Sequence, residues 1–331
     1  MNHRTRLAPL KLLLLLSVVT LGSIGIAVGM GSGQAGLAEL LALLDNTADP
    51  VTRDILLNLR LPRALAAFGT GATLALAGVL MQVLLRNPLA DPYILGTSGG
   101  AAVAALVAML AGAGGMLIDA AAFGGALTST LLVFLIAQSD GNWTPGRLLL
   151  TGVVIAAGWS AVISLILATA PEFNVRGILF WLMGDFSFAE NPAPSLIAAA
   201  IAVGAGLVLA RSLNVLATGD QQAALLGLRV RPVRICIYLL SALLTAVAVT
   251  TAGTVGFVGL VVPHLVRLIS GADHRVLIPN AALAGGSLLV VADTVARTVA
   301  APRQLPVGAI TAVIGVPLFL FLLGRTISPR D

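Results

Sequence analysis

Apolar residues in this chain fall into long unbroken runs, not into the short alternations or one-sided helical stripes of a water-facing fold. The runs occupy about 12–30, 61–85, 93–112, 117–137, 148–170, 192–210, 235–252, 255–270, 276–296 and 307–324. A helix crossing the hydrocarbon layer needs about 20 apolar residues, so the pattern predicts about ten transmembrane helices. The run at 255–270 is short and interrupted by Gly256, Gly259 and Pro263. It reads as a broken or partly re-entrant helix, whose freed backbone survives only where protein or a water-lined cavity covers it. Residues 38–59 are broken by Glu39, Asp45, Asp49, Pro50, Arg53 and Asp54 and read as short surface helices. Residues 173–186 read as an interfacial helix with Trp181 near headgroup depth. The first run follows basic residues, as a leader peptide would, but its length fits a retained span.

Composition places the chain in lipid. Of 331 residues, 58% are hydrophobic and 10% charged, against about 25% charged in an average globular domain, which excludes a soluble enzyme. The 36 glycines and few aromatic residues favour close-packed helices over a β-barrel. Small residues four apart, at Ala67, Gly71 and Ala75 and at Gly96, Gly100 and Ala104, suit close helix packing. The expectation is an all-α integral membrane protein, a single transmembrane domain over 1–331. Placing residues 1–11 inside puts thirteen of the nineteen Lys and Arg residues on the cytoplasmic side, and nine of the fourteen acidic residues outside. By the positive-inside rule both termini are then cytoplasmic, in a multi-pass protein of the cell (inner) membrane.

The chemistry of an enzyme is missing. A G-x-G-x-x-G match at Gly31, Gly33 and Gly36 follows a membrane span instead of a strand and is read as a decoy. The single lysine, Lys11, lies in an apolar run and completes no phosphate-binding loop. His3, His264 and His274 are scattered and Cys236 is alone, so no metal-ligand spacing or disulfide arises and His264 and His274 read as structural. Asp119, Asp293, Arg63 and Arg297 lie toward outer ends of spans. Mid-membrane depth is therefore nearly free of ionisable groups, which argues against a proton- or ion-coupled carrier and for an external energy source.

Two polar regions stand out. The inner connection 211–234 carries a short helix that Asp220 could cap, with apolar Ala223, Ala224 and Leu226 before a stop at Gly227. Such a helix either fits a protein groove or lies on lipid. On the outer side, Arg60, Arg63 and Arg297 break the positive-inside trend. They either dock an acidic partner or anchor lipid phosphates.

These same residues carry a resemblance. The segments Arg60-Leu61-Pro62-Arg63, Gly78 through Gln82 to Arg86-Asn87-Pro88-Leu89-Ala90-Asp91-Pro92, Leu95-Gly96, Trp181 to Gly184, Gly219-Asp220, Leu226-Gly227, Gly256 through Pro263-His264, Ala292-Asp293 with Arg297, and Leu305-Pro306-Val307-Gly308 are similar in combination to the FecCD-type permease subunits of ABC importers. That family moves ferric siderophores, haem and vitamin B12. The resemblance, covering about 50–325, implies a vitamin B12 permease-like bundle. Its translocation path would lie between two permease subunits, identical or paralogous, worked by two separate ATPases that hold ATP and Mg. The chain itself would carry no cofactor or metal and bind no nucleic acid. By position, Gly219, Asp220, Gln221, Gln222, Ala223, Ala224, Leu225, Leu226, Gly227 and Leu228 match the ATPase-coupling helices. Arg60, Arg63 and Arg297 match the arginines that meet an extracytoplasmic substrate-binding protein.

The family's cytoplasmic gate falls at Thr144, Pro145 and Gly146, where Pro and Gly replace hydroxyl residues. Gln304 stands where the family usually has Glu, so the salt bridge of that Glu is absent. The resulting expectation is the transmembrane subunit of an importer for a ferric-siderophore-class substrate, with haem or vitamin B12 as alternatives. A stand-alone secondary carrier and an intramembrane enzyme are the rivals from other classes.

Overall fold

The computed structural model describes residues 9–30, 42, 45, 47–138, 144–187, 189 and 191–327. The Gly31–Gly36 match, Glu39 and His3 lie outside these. The described residues form twelve helices and no strand: α1 (Pro9–Gly29), α2 (Pro50–Leu84), α3 (Thr97–Leu110), α4 (Gly115–Ala137), α5 (Pro145–Thr169), α6 (Glu172–Met183), α7 (Ala193–Leu216), α8 (Asp220–Leu225), α9 (Val230–Ala252), α10 (Val258–Ser270), α11 (His274–Thr298) and α12 (Val307–Ile327). Seven of them, α1, α2, α4, α5, α7, α9 and α11, are long and apolar enough to cross a membrane. Helices α3, α10 and the described part of α12 are apolar but shorter.

Three sequence expectations change. Residues 50–60 are not separate surface helices. They run through a π-helical stretch, Ile55–Arg60, directly into α2, because Pro50 starts a helix capped by Asp49 and nothing before Leu61 stops it. The inner connection 211–234 shrinks to 217–229, since α7 continues to Leu216 and α9 begins at Val230. The third run starts later than 93, because Pro92–Leu95 forms a 3-10 turn closed by Gly96 at φ 68°.

Helix α2 is the centre of the bundle. Nearly every residue from Ala64 to Leu84 is buried, and α1, α7, α9, α10 and α11 pack around it. Small side chains make this possible, because helices in lipid gain nothing from expelling water and associate by close contact. Gly71 lies against Gly285 of α11, where an added methyl at either position would strike the other's backbone, and Gly78 lies against the Gly259 backbone of α10. Helices α3 and α4 form a second close pair, with Gly100 against Gly125.

The expected break falls ahead of α10 and not within it, since Gly259 and Pro263 lie inside the continuous helix. Residues 253–257 are non-helical, and Phe257 has φ 69°. Polar groups there are answered by protein: the Val255 N–H donates to Tyr93 Oη at 3.2 Å and Thr254 Oγ1 donates to the Leu182 carbonyl, while Gln82 Nε2 donates to the Leu260 carbonyl in the first turn of α10 at 3.2 Å. This meets the requirement that irregular backbone at depth be satisfied internally. Gln82 belongs to the segment 78–92 and Tyr93 follows it directly, so that stretch and the turn after it seal the break.

Replacing Gly71 or Gly285 with Leu should cost about 1–3 kcal/mol through overpacking, read as a lower unfolding midpoint in detergent. Gly22, with no neighbouring atom within 4 Å of an added Cβ, should accept Leu with no measurable loss. Equal losses at Gly22 and Gly71 would remove close backbone approach as the source of stability.

Candidate functional site

At one end of the bundle α8 projects between α7 and α9. Two backbone reversals frame it, Gly219 at φ 110° and Gly227 at φ 80°, conformations that favour glycine. Ala223 is buried and holds α8 to the bundle, whereas Gln221, Gln222 and Ala224 are exposed and Leu225 and Leu226 are 87% and 69% exposed. The result is a six-residue knuckle with two large apolar side chains pointing away from the protein.

Asp220 does not act as the helix cap expected from the sequence. Gly219 occupies the cap position without a side-chain bond. The Asp220 carboxylate instead forms ion pairs, lying 2.9 Å from Arg234 Nη2 and 3.5 Å from Arg86 Nη2. Arg234 is buried and requires a counter-charge, so Asp220 ties the knuckle to α9 and to the loop after α2. Arg86 itself has φ 49°. The turn that carries it is held by Asn87 Oδ1, which accepts the Leu89 N–H at 2.9 Å, and by Asp91 Oδ1, which accepts the Tyr93 N–H at 2.8 Å. In the sequence Arg86 stands only within a motif and Arg234 only at the end of the connection 211–234, because their convergence on Asp220 is a tertiary fact.

A second brace lies beside it. Asn214, near the end of α7, donates through Nδ2 to Asp273 Oδ1 at 2.8 Å and accepts the His274 N–H at 3.0 Å. Its Oδ1 is also 2.6 Å from His274 Nδ1. Since that oxygen can only accept, Nδ1 carries the proton. Asp273 caps α11 through the Arg275 N–H, and the Asn214 amide with that N–H holds its carboxyl below the usual range. His274 is thus a structural residue at a helix start, as read from the sequence. Thr144, Pro145 and Gly146 open α5: exposed Thr144 accepts the Arg147 N–H at 3.3 Å, Pro145 takes the first turn, and Gly146 has open space around it.

At the opposite end of α2, Arg60, Arg63 and Arg297 do converge, but not as a surface patch. Arg60 and Arg297 are each only 8% exposed. Arg60 Nη1 donates to the Val28 carbonyl at 3.0 Å, and Arg297 Nη2 donates to the Ala27 carbonyl at 3.0 Å. Both arginines thereby satisfy the carbonyls at the end of α1, which have no helical partner. The centre of the cluster is buried Asp293. It accepts Arg63 Nη2 at 2.8 Å and Arg63 Nε at 3.0 Å on one side, and Arg297 Nε at 3.1 Å on the other. Arg63 also reaches Gln304 Oε1 at 3.4 Å and lies 3.8 Å from Asp185 Oδ1, while Ser187 Oγ donates to Gln304 Oε1 at 2.8 Å. Gln304 therefore keeps the contact with Arg63 as a hydrogen bond without the charge. Among the described residues no group of His, Cys, Asp and Glu could hold a metal ion.

Asp293→Asn should cost about 3–5 kcal/mol, the usual loss when one partner of a buried ion pair is removed, read from the unfolding midpoint in detergent. Adding Arg297→Met to it should recover part of that loss. A loss below about 1 kcal/mol, the range of exposed pairs, would show that the rim is not organised around Asp293.

Residues 15–325 match the FecCD transport family. The hemin transport system permease protein of Yersinia pestis is 39% identical over 317 residues, covering 92% of this chain and 94% of that protein. The cobalamin import system permease protein of Halobacterium salinarum is 41% identical over 278 residues, covering 83% and 74%. A solved structure described as an inward-facing conformation of a putative metal-chelate type ABC transporter superposes with a TM-score of 0.83 at 30% identity, covering 96% of this chain and 100% of that one. The chain belongs to the FecCD transport family, the membrane-spanning permease subunits of ABC importers.

Proposed function

We propose that this chain is the permease subunit of an importer that carries a metal chelate of the ferric-siderophore class into the cytoplasm, with ATP hydrolysed by separate subunits bound at α8. The observation that carries the reading is the knuckle: Leu225 and Leu226 are exposed at the end of a helix that Asp220 fixes to two arginines from different parts of the bundle. Exposed leucines on a rigid, charged mount suit a groove in a partner protein. Closing of the ATPases would push on residues 219–228, and Arg86 and Arg234 would pass the displacement to α2 and α9. A two-state change of access biased by nucleotide follows.

Both termini and α8 are then cytoplasmic, the membrane is the inner one, and the ten apolar helices, three of them short, are all spans. Helix α5 packs little within the chain and leaves Leu150, Val153, Val154 and Leu165 exposed, which supports a second permease subunit across the path. Thr144, Pro145 and Gly146 open that helix at its inner end and are assigned to the gate region. Mid-depth carboxylates to carry a coupling ion are lacking, which favours the powered importer over a secondary carrier. Haem is the second reading, favoured by the hemin permease relative that matches 92% of this chain.

An extracytoplasmic binding protein is proposed to dock on the arginine rim. Arg63 is the contact residue there, while Arg60 and Arg297 hold the rim from beneath. Asp293 already engages one edge of Arg63, so an acidic partner would approach the edge near Gln304 and Ser187.

Leu225→Glu with Leu226→Glu changes only exposed side chains and should leave folding unchanged while lowering ATP-driven uptake at least tenfold in reconstituted vesicles. Undiminished uptake would remove α8 as the coupling element. Gln304→Glu should draw Arg63 inward and weaken binding of the substrate-binding protein several-fold at low salt, with a smaller effect at high salt. Unaltered affinity would take Arg63 out of the docking surface.

A further inference from the structure

One surface of α9 is unused by the bundle, the coupling contact or the rim. It forms an open groove of about 800 Å³ lined only by α9 residues. Arg231 stands at its mouth, and Ile235, Cys236, Leu239 and Leu243 continue along it. Arg231 is exposed and, among the described residues, has no ion-pair partner, and Arg229, also exposed, precedes it by two residues. From Arg231 to Leu243 the helix rises about 18 Å. One leaflet of the ~30 Å hydrocarbon core is about 15 Å thick. The groove is therefore one acyl chain long, apolar below, and positively charged at the end where α9 leaves the membrane.

We propose that this groove is a binding site for an anionic phospholipid of the adjoining leaflet, with an acyl chain along Ile235, Leu239 and Leu243 and the headgroup phosphate on Arg231. The inference rests on the chain lying in a bilayer and not on what it transports. Charge and shape together select the occupant. A peptide from the aqueous side would have to bury its backbone polar groups in hydrocarbon to follow the groove. A second copy of the chain would have to bring a carboxylate to Arg231. A phospholipid supplies a single chain and an anion in that order. The position matters because Arg231 is three residues from Arg234, the partner of Asp220, so a bound headgroup would sit beside the mount of α8.

Cys236 supplies the probe, since it is exposed, lines the groove and is the only cysteine in the chain. The full-length chain in detergent is treated with a maleimide, and the alkylation rate is followed during titration with phosphatidylglycerol or phosphatidylcholine. A basic residue near the surface is worth about fivefold in affinity for anionic lipid. Phosphatidylglycerol should accordingly protect Cys236 at about one-fifth the concentration of phosphatidylcholine, and Arg231→Gln should bring the two curves together. Coincident curves in the unaltered chain would overturn the proposal, since bulk lipid would then be filling the groove. Protection by neither lipid, or lipid selectivity that survives Arg231→Gln, would do the same. So would an alkylation rate that falls with protein concentration in the absence of lipid, which would assign the face to a second copy of the chain.

Discussion

Helices immersed in hydrocarbon are held by how closely they can approach, because lipid tails are as apolar as leucine and nothing is gained by hiding apolar surface from them. That constraint places α2 at the centre. Between Ala64 and Gly78 its surface is mostly Ala, Gly and Thr, and it meets α10 and α11 at glycine on both sides of the contact. Exposed leucine and valine are left to the other helices, among them α1, α4, α5, α7 and α9. The arrangement inverts a water-soluble core, where the largest side chains would be innermost.

A central helix also connects the two ends. The cluster around Asp293 takes Arg63 from the first half of α2, with Arg60 one turn earlier on the α1 carbonyls, and the contact with Asp220 takes Arg86 from just past the C-terminal end of α2. Any tilt of α2 therefore bears on both. The two clusters differ in construction. Asp293 is enclosed and shared by two arginines, an arrangement in which each charge depends on the others remaining in place. Asp220 is about one-third exposed and can exchange a protein contact for water at modest cost. A rim that stays fixed and a mount that yields suit a subunit moved from one side.

Much of this was legible in the sequence, and the exceptions share a cause. Hydrophobic run length located the helices, and Gly256 marked the break before α10, whereas Gly259 and Pro263 lie inside that helix. Spacing marked the α2 and α3 contacts, since those signals are local. Residues 50–60 were misread because charge was taken to stop a helix, whereas Asp49, Asp54 and Arg53 sit on its exposed side. Asp220 was read as a cap for the same local reason, when its partners are 14 residues ahead and 134 behind. The three outer arginines were grouped correctly, but whether a guanidinium faces water or the end of α1 depends on where α1 packs. Nothing in Arg60-Leu61-Pro62-Arg63 specifies that.

The buried arginines at the rim also bear on why the path can remain weakly binding. Every charge placed within the membrane region must be paired or it imposes a large penalty; here Asp293 is shared by Arg63 and Arg297, and Arg60 and Arg297 donate to the carbonyls of α1. A conduit must admit a solute that another protein has bound tightly and still release it, which requires few strong contacts along the way. With the charged groups held in the scaffold at one end and the apolar knuckle, the proposed contact with an energy source, at the other, the structural use of electrostatics would be separate from the passage of the solute.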